Sequence, residues 1–181
     1  MSITRQAALR ARYRHAPELA WATHLAWTET SGADIADPFR GTVQVSLAGR
    51  KLSFSLDDGV GGAHDAPAPG ELLCAALAAC VDATMRLAAA RMNMELARLA
   101  VIVTADVDSR GSLGEPGVPV GFQSMRLEIQ LELAGALPGA AEALLAAAEQ
   151  RSEVLQTLRS LVPIEIVQLV QSGAAQVSAT G

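Results

Sequence analysis

Aromatic residues are scarce in this sequence. Phe, Tyr and Trp together make up 3% of the 181 residues, whereas apolar residues as a group make up 50%. A core of this composition is built from Ala, Leu and Val, which pack closely but bury little area each, at about 25 cal/mol per Å². The length suits one domain, and such a core gains from a partner chain, so we expect an oligomer.

The chain also lacks an excess of positive charge. It carries 14 Lys and Arg against 19 Asp and Glu, for a formal net charge of -5 and a pI near 5.2. Proteins that bind nucleic acid usually present a basic face. The composition therefore argues against nucleic acid as a partner.

Long hydrophobic runs are missing as well. The longest strongly apolar run, residues 72–81, is shorter than the roughly 20 residues that cross a bilayer, and Asp82 and Arg86 follow it. The arginines near the N-terminus are not followed by the apolar run of a signal peptide. We expect a cytoplasmic protein with no membrane partner.

Cysteine and histidine, the usual zinc ligands, are few. The two Cys and three His match no zinc-ligand spacing. In a chain without a signal peptide, two cysteines indicate thiols rather than a structural disulfide. We expect neither a metal nor an organic cofactor.

The apolar periodicity predicts an α+β chain. In residues 124–133, Met125, Leu127 and Ile129 share one face and polar residues the other, which is typical of an antiparallel strand covered on one side. The other predicted elements are a helix in residues 1–18, a strand in 19–28, a hairpin of strands 42–47 and 51–56, a largely buried helix from Pro69 to about Met92, a strand in 101–107, a helix in 138–160 and a last strand in 163–170. Polar or Gly/Pro-rich connectors occupy 31–38, 57–70 and 109–121. This order of strands and helices is that of an α+β fold.

The two cysteines lie six residues apart on the long predicted helix. Six helical residues rise about 9 Å and rotate about 240°, whereas a disulfide needs Cα atoms within about 7 Å. Cys74 and Cys80 therefore cannot pair with each other. Both predicted faces are apolar, so each residue is either a small buried hydrophobe or a reactive thiol activated by a cation from elsewhere.

The segment PGELLCAALAAC, residues 69–80, resembles the helix signature of the OsmC/Ohr family. In that family a Pro and an acidic residue lead into two large apolar residues, then small residues, then Ala-Ala-Cys. Residues 106–133 and 148–166 resemble the family's middle segment and its second helix with the last strand. The resemblance covers the chain from near Arg40 to Val170.

The resemblance implies an α+β fold with an antiparallel sheet and two central helices, assembled as an intertwined homodimer. The two active sites of such a dimer form at the subunit interface. On this basis the chain divides into an N-terminal extension, an OsmC-like domain and a flexible tail, over residues 1–35, 36–170 and 171–181.

The family's chemistry, by the same resemblance, is reduction of organic hydroperoxides by a thiol. The match places Cys80 at the peroxidatic cysteine, whose thiolate attacks the O–O bond and becomes a sulfenic acid. A second cysteine then condenses with it to a disulfide, which a reductant restores. Cys74 falls where the family has an apolar residue, so we expect it in the core.

The family's resolving cysteine falls on Ser152 in this sequence. Ser152 lies on or beside the inward stripe of the second predicted helix, which favours a position facing Cys80. Serine cannot form a disulfide. The resemblance therefore implies a single-cysteine site whose sulfenic acid is resolved by an external thiol.

The family's activating arginine and orienting glutamate have candidates here. Arg40 precedes Cys80 at about the right distance, with a solvated loop arginine as the alternative and Arg50 as a weaker candidate. Glu71 is one place removed from the family's glutamate. The equally favoured alternative is that Glu71 is only a first-turn acid that suits the helix dipole. His64 lies in the loop before the helix and is a possible lining residue.

Three functions remain open on this basis. The leading hypothesis is a homodimeric thiol peroxidase with Cys80 as nucleophile, Arg40 and Glu71 as activating groups, and an external thiol as reductant. The alternative is a non-enzymatic relative that binds a small apolar ligand in the dimer-interface cleft. A hydrolase in which His64 activates the thiol is the third. Asp82 and Arg86, spaced i,i+4, are expected to form a surface pair.

Overall fold

The structure, a computed structural model, describes residues 3–29, 37–45, 49–135 and 138–172. Helices and strands follow one another there as α1 (Ile3–His15), β1 (Ala26–Thr28), β2 (Arg40–Val45), β3 (Arg50–Ser55), α2 (Pro69–Arg91), β4 (Leu96–Val107), α3 (Ser109–Ser112), β5 (Phe122–Leu133), α4 (Ala140–Arg151), α5 (Glu153–Leu158) and β6 (Ile164–Ser172). The chain divides into two units, residues 1–71 and 72–181, within the first turn of α2.

The first unit contains an antiparallel sheet in the order β1-β2-β3. The predicted hairpin is confirmed, since β2 and β3 pair from Arg40 opposite Ser55 to Val45 opposite Arg50. Its predicted turn falls partly on residues 46–48, which lie outside the described residues, as does most of the predicted connector 31–38. The strand predicted for residues 19–28 is shorter than expected: β1 holds three residues, and a short 3₁₀ turn covers Pro17–Ala20.

A glycine allows the β2–β3 pair to close beside Arg40. Gly41 lies opposite Phe54 in the sheet. A Cβ at Gly41 would lie 2.5 Å from the Cζ atom of the Phe54 ring. The ring therefore occupies the space that any larger residue would need, and it covers the backbone of β2 next to Arg40.

The second unit contains a sheet in the order β4-β5-β6. β4 and β5 are antiparallel, whereas β6 runs parallel to β5. The prediction of an antiparallel sheet is thus right for β1 to β5 and wrong for β6. The cause is the helical connection, because α4 and α5 return the chain to the end of the sheet where β5 begins. β6 also includes Gln171 and Ser172, so the flexible tail predicted from residue 171 starts too early, and 173–181 lie outside the described residues.

The core of this unit lies on one face of the β4-β5-β6 sheet. The alternation predicted for β5 is confirmed: Met125, Leu127, Ile129, Leu131 and Leu133 are all buried. Helices supply the other side of the core through Leu77, Val81, Met85, Ala88, Leu144, Ala148 and Leu155. At about 25 cal/mol per Å², burial of these side chains is the main stabilising contribution.

Helix α2 is less buried than the sequence led us to expect. A buried stripe of Leu77, Val81 and Met85 faces the core, but only 28% of an 18-residue apolar stretch of the helix is buried. In the described part of the chain, α2 is the one helix long and apolar enough to span a membrane by length and composition alone. The apolar stretch is therefore longer than residues 72–81.

The helix predicted over residues 138–160 is broken in two. Ser152 has extended backbone angles, φ -78° and ψ 109°, between α4 and α5. Its hydroxyl oxygen accepts a hydrogen bond from the Leu155 N–H at 3.4 Å. Serine is favoured at such N-cap positions because its side chain satisfies an otherwise unpaired N–H of the first turn.

Candidate functional site

Cys80 and Ser152 come together within the second unit. The Ser152 hydroxyl donates a hydrogen bond to the Cys80 sulfur, with an Oγ–Sγ distance of 3.2 Å. Ser152 is 0% exposed, whereas Cys80 is partly accessible. The sulfur of a partly accessible residue therefore has a polar neighbour that solvent does not reach.

The break between α4 and α5 orients the Ser152 hydroxyl. The Ser152 N–H donates to the Ala148 carbonyl at 3.0 Å, which ends α4. The Leu155 N–H occupies one lone pair of the hydroxyl oxygen. The hydroxyl donates its single proton to the Cys80 sulfur.

The two cysteines occupy different faces of α2. Cys74 packs against the buried core of the second unit, as expected for an apolar position. Cys80 lies beside the buried stripe instead, where its backbone carbonyl accepts a hydrogen bond from the Thr84 hydroxyl at 2.8 Å. Neither cysteine forms a disulfide. The Cys80 sulfur therefore has a polar partner, the Ser152 hydroxyl.

Arg40 is held by two aspartates of the first unit. Its Nε and Nη2 donate to the Asp65 carboxylate at 2.9 to 3.1 Å, and its Nη1 donates to Asp37 at 2.9 Å. Hydrogen bonds to Asp65, and then those to Asp37, raise the pKa of Arg40. The pKa of Asp65 is lowered chiefly by Arg40, and that of Asp37 by the Phe39 N–H and then by Arg40. Neither aspartate was predicted as a site residue, although Asp65 follows the candidate His64 in the loop before α2.

This arginine lines a cavity of about 420 Å³. The walls come from β2, β3 and the loop that follows them, and they include Thr42, Ser53 and Phe54. Ser55, fully buried, fixes the loop, because its hydroxyl donates to the Ala66 carbonyl at 3.0 Å and accepts from the Ala66 N–H at 3.2 Å. The cavity therefore has a fixed guanidinium in its wall.

Glu71 caps helix α2 and binds His64. The Glu71 carboxylate accepts the Ala68 N–H at 2.8 Å, the backbone half of a capping box. The same oxygen lies 3.0 Å from His64 Nε2. The hydrogen bond from Ala68, then that from His64, lowers the pKa of Glu71, whereas Glu71 raises the pKa of His64.

The remaining candidates lie on exposed surface. Arg86 donates to Asp82 at 2.7 Å, so the predicted i,i+4 surface pair is confirmed. Arg50 begins β3 in an exposed position opposite Val45. Over the ranges that the structure describes, no group of three or more His, Cys, Asp or Glu side chains is placed to hold a metal ion.

Solved structures share this fold. An organic hydroperoxide resistance protein OsmC from Legionella pneumophila is 20% identical, with a TM-score of 0.61 over 81% of this chain and 96% of that one. An organic hydroperoxide resistance protein from Elizabethkingia anophelis is 17% identical, with a TM-score of 0.63 over 83% and 98%. An OsmC-like protein of unknown function from Vibrio cholerae is 15% identical, with a TM-score of 0.64 over 83% and 100%. At these identities the likeness concerns the fold.

The sequence itself matches one family. No curated protein sequence matches the chain. The model of the OsmC-like protein family, however, matches residues 62–167, more than half of the chain. That match contains α2 with both cysteines, the whole of β4 and β5, and Ser152. The chain therefore belongs to the family of OsmC-like proteins.

Proposed function

We propose that this protein is a thiol-dependent peroxidase that reduces organic hydroperoxides through Cys80. The observation that carries the proposal is Cys80 itself, a partly accessible residue whose sulfur is hydrogen-bonded to a buried hydroxyl. Two structural relatives are named organic hydroperoxide resistance proteins, which supports the substrate class. Cys74 packs against the core and is not proposed to react.

The reaction uses one cysteine and an external thiol. The Cys80 thiolate attacks one oxygen of the hydroperoxide, the O–O bond breaks, and the other oxygen leaves as an alcohol after taking up a proton. Cys80 is now a sulfenic acid. An external thiol condenses with it, releasing water and forming a mixed disulfide, and a second external thiol restores Cys80 and leaves as the oxidised reductant. Overall, one hydroperoxide and two thiols give one alcohol, one disulfide and one water.

Arg40 and Glu71 are the proposed activating groups. The proposed role of Arg40 is to supply positive charge towards a thiolate. Its hydrogen bonds to Asp65 and Asp37 hold the guanidinium in place, and the two carboxylates offset its charge within the first unit. The Glu71 carboxylate is already bonded to Ala68 and His64. We therefore propose that Glu71 acts indirectly, by fixing the N-terminus of the helix that carries Cys80.

A second copy of the chain is the proposed partner. Only 28% of the apolar window of helix α2 is buried, and the exposed residues of the helix include Leu73 and the small side chains Ala75, Ala76, Ala79 and Ala83. Contiguous exposed apolar surface marks interaction sites on soluble proteins. We accordingly propose a homodimer, to be checked by sedimentation of the wild type against Leu73→Glu. The proposed compartment remains the cytoplasm, as the sequence led us to expect.

The peroxidase proposal is tested by hydroperoxide consumption. Wild type, Cys80→Ser and Cys74→Ser are each mixed with an organic hydroperoxide and a small thiol, and the remaining peroxide is measured over time. We expect Cys74→Ser to match the wild type and Cys80→Ser to fall to the rate of the thiol alone. Mass spectrometry should find the mixed disulfide on Cys80.

Two outcomes would contradict the proposal. If Cys80→Ser consumes peroxide as fast as the wild type, Cys80 is not the nucleophile. If the wild type itself consumes no hydroperoxide beyond the thiol control, a binding role replaces the enzymatic one. In that case an apolar fluorescent probe should bind the wild type and Cys80→Ser equally well.

A further inference from the structure

We propose that the Ser152 hydroxyl is the hydrogen-bond donor that stabilises the anionic form of the Cys80 sulfur. This inference rests on the proposed function, because it assigns a residue to the same thiol chemistry. Ser152 touches the reacting atom, with Oγ 3.2 Å from Sγ.

The direction of the hydrogen bond follows from the partners of the hydroxyl. Its oxygen accepts the Leu155 N–H, and its proton is donated to the Cys80 sulfur. A thiolate has no proton to donate, so with an ionised Cys80 the hydroxyl can only be the donor. A hydrogen bond to an ionised acceptor is roughly twice as strong as one between neutral groups. The contact therefore stabilises the thiolate more than the thiol, and this difference increases the fraction of thiolate.

Burial makes this donor effective. Ser152 is 0% exposed, so water does not compete for its proton. The hydroxyl is also held from two directions, by the end of α4 at Ala148 and by the first turn of α5 at Leu155. A donor fixed before the reaction need not reorganise while the charge on sulfur changes.

The same contact bears on the oxidised protein. A hydroxyl cannot condense with a sulfenic acid to give a disulfide, and Cys74 packs against the core on another face of α2. The Cys80 sulfenic acid therefore persists until an external thiol arrives.

The experiment measures the reactivity of Cys80 towards iodoacetamide as a function of pH, in a Cys74→Ser background without peroxide. Ser152→Ala and Ser152→Gly both remove the hydroxyl, but glycine retains most of the N-cap preference that alanine lacks. We expect both variants to move the midpoint of the profile upward by about half to one pH unit, a three- to tenfold slower alkylation near neutral pH.

Thr84→Ala is the matched control. It removes a hydroxyl that bonds the Cys80 carbonyl rather than the sulfur, and its midpoint should equal that of the parent. If Ser152→Ala and Ser152→Gly keep the parental midpoint, the inference is wrong. The readout needs no peroxidase activity, so a wild type without activity but with shifted Ser152 variants would overturn the proposed function alone.

Discussion

The Cys80 sulfur and the Ser152 hydroxyl oxygen lie 3.2 Å apart, although 72 residues separate them in the sequence. This contact joins the central helix α2 to the break between α4 and α5. It lies inside the region that matches the OsmC-like family. The short distance predicts that a cysteine at residue 152 would lie close enough to Cys80 to react with it.

Ser152→Cys should form a disulfide with Cys80 on oxidation. A disulfide has an S–S length near 2.0 Å, so the two side chains need approach by only about 1 Å. In a Cys74→Ser background, oxidation should remove both free thiols and two hydrogen atoms from the mass of the monomer. Ser160→Cys is the control, because Ser160 is exposed and its hydroxyl bonds Thr157 instead. Equal intramolecular bonding in both variants would argue against the observed contact.

The His64–Glu71 pair should make stability depend on pH. The pKa of His64 is raised from 6.5, so its contribution is complete below 6.5 and is lost as the pH rises through the raised value. The pKa of Glu71 is lowered from 4.5, so its contribution is complete above 4.5 and is lost as the pH falls through the lowered value. The pair therefore contributes most between pH 4.5 and 6.5.

This dependence is measurable with His64→Asn. Asparagine tolerates the left-handed backbone of His64, whose φ is 48°, but it does not titrate. The melting temperature of the variant should fall below that of the wild type at pH 5.5 and approach it at pH 8.5. The difference should be small, because both side chains are largely exposed. A difference that grows with pH would contradict the assignment.

Asp65 should hold the loop before α2 more firmly than Asp37 does. Asp65 accepts three of the hydrogen bonds from Arg40, whereas Asp37 accepts one. We expect Asp65→Asn to speed amide hydrogen exchange in residues 61–68 and Asp37→Asn to have a smaller effect. Hydrogen exchange read by mass spectrometry distinguishes the two variants. Equal exchange in both would show that the arginine does not tether the loop through Asp65.

Leu127→Ala should destabilise the second unit strongly. Leu127 is 0% exposed at the centre of the core face of β5. Removing a buried leucine side chain costs about 2–5 kcal/mol in the free energy of unfolding. Ile102→Ala is the control, because Ile102 on β4 is 44% exposed, and surface changes stay within about 0.5 kcal/mol. Urea denaturation followed by circular dichroism measures both, and equal losses would mean that the core lies elsewhere.

The sequence by itself determined the elements whose signals are local. Alternation of period two identified β5 and its buried face, from Met125 to Leu133. Pro69 and Glu71 marked the start of α2, since proline suits the first helical position and an acidic residue in the first turn suits the helix dipole. The helical spacing of Cys74 and Cys80 excluded a disulfide between them.

Only the tertiary structure decided how distant elements meet. The parallel pairing of β6 depends on where α4 and α5 return the chain, which periodicity does not encode. The partners of Arg40 lie 3 and 25 residues away, in flanking loops without a regular pattern. Ser152 was predicted to face Cys80 from within a continuous helix. It does contact Cys80, but from a break between two helices, where it caps the second. Such contacts depend on the packing of whole elements against one core, because no local propensity specifies which side chains that packing brings together.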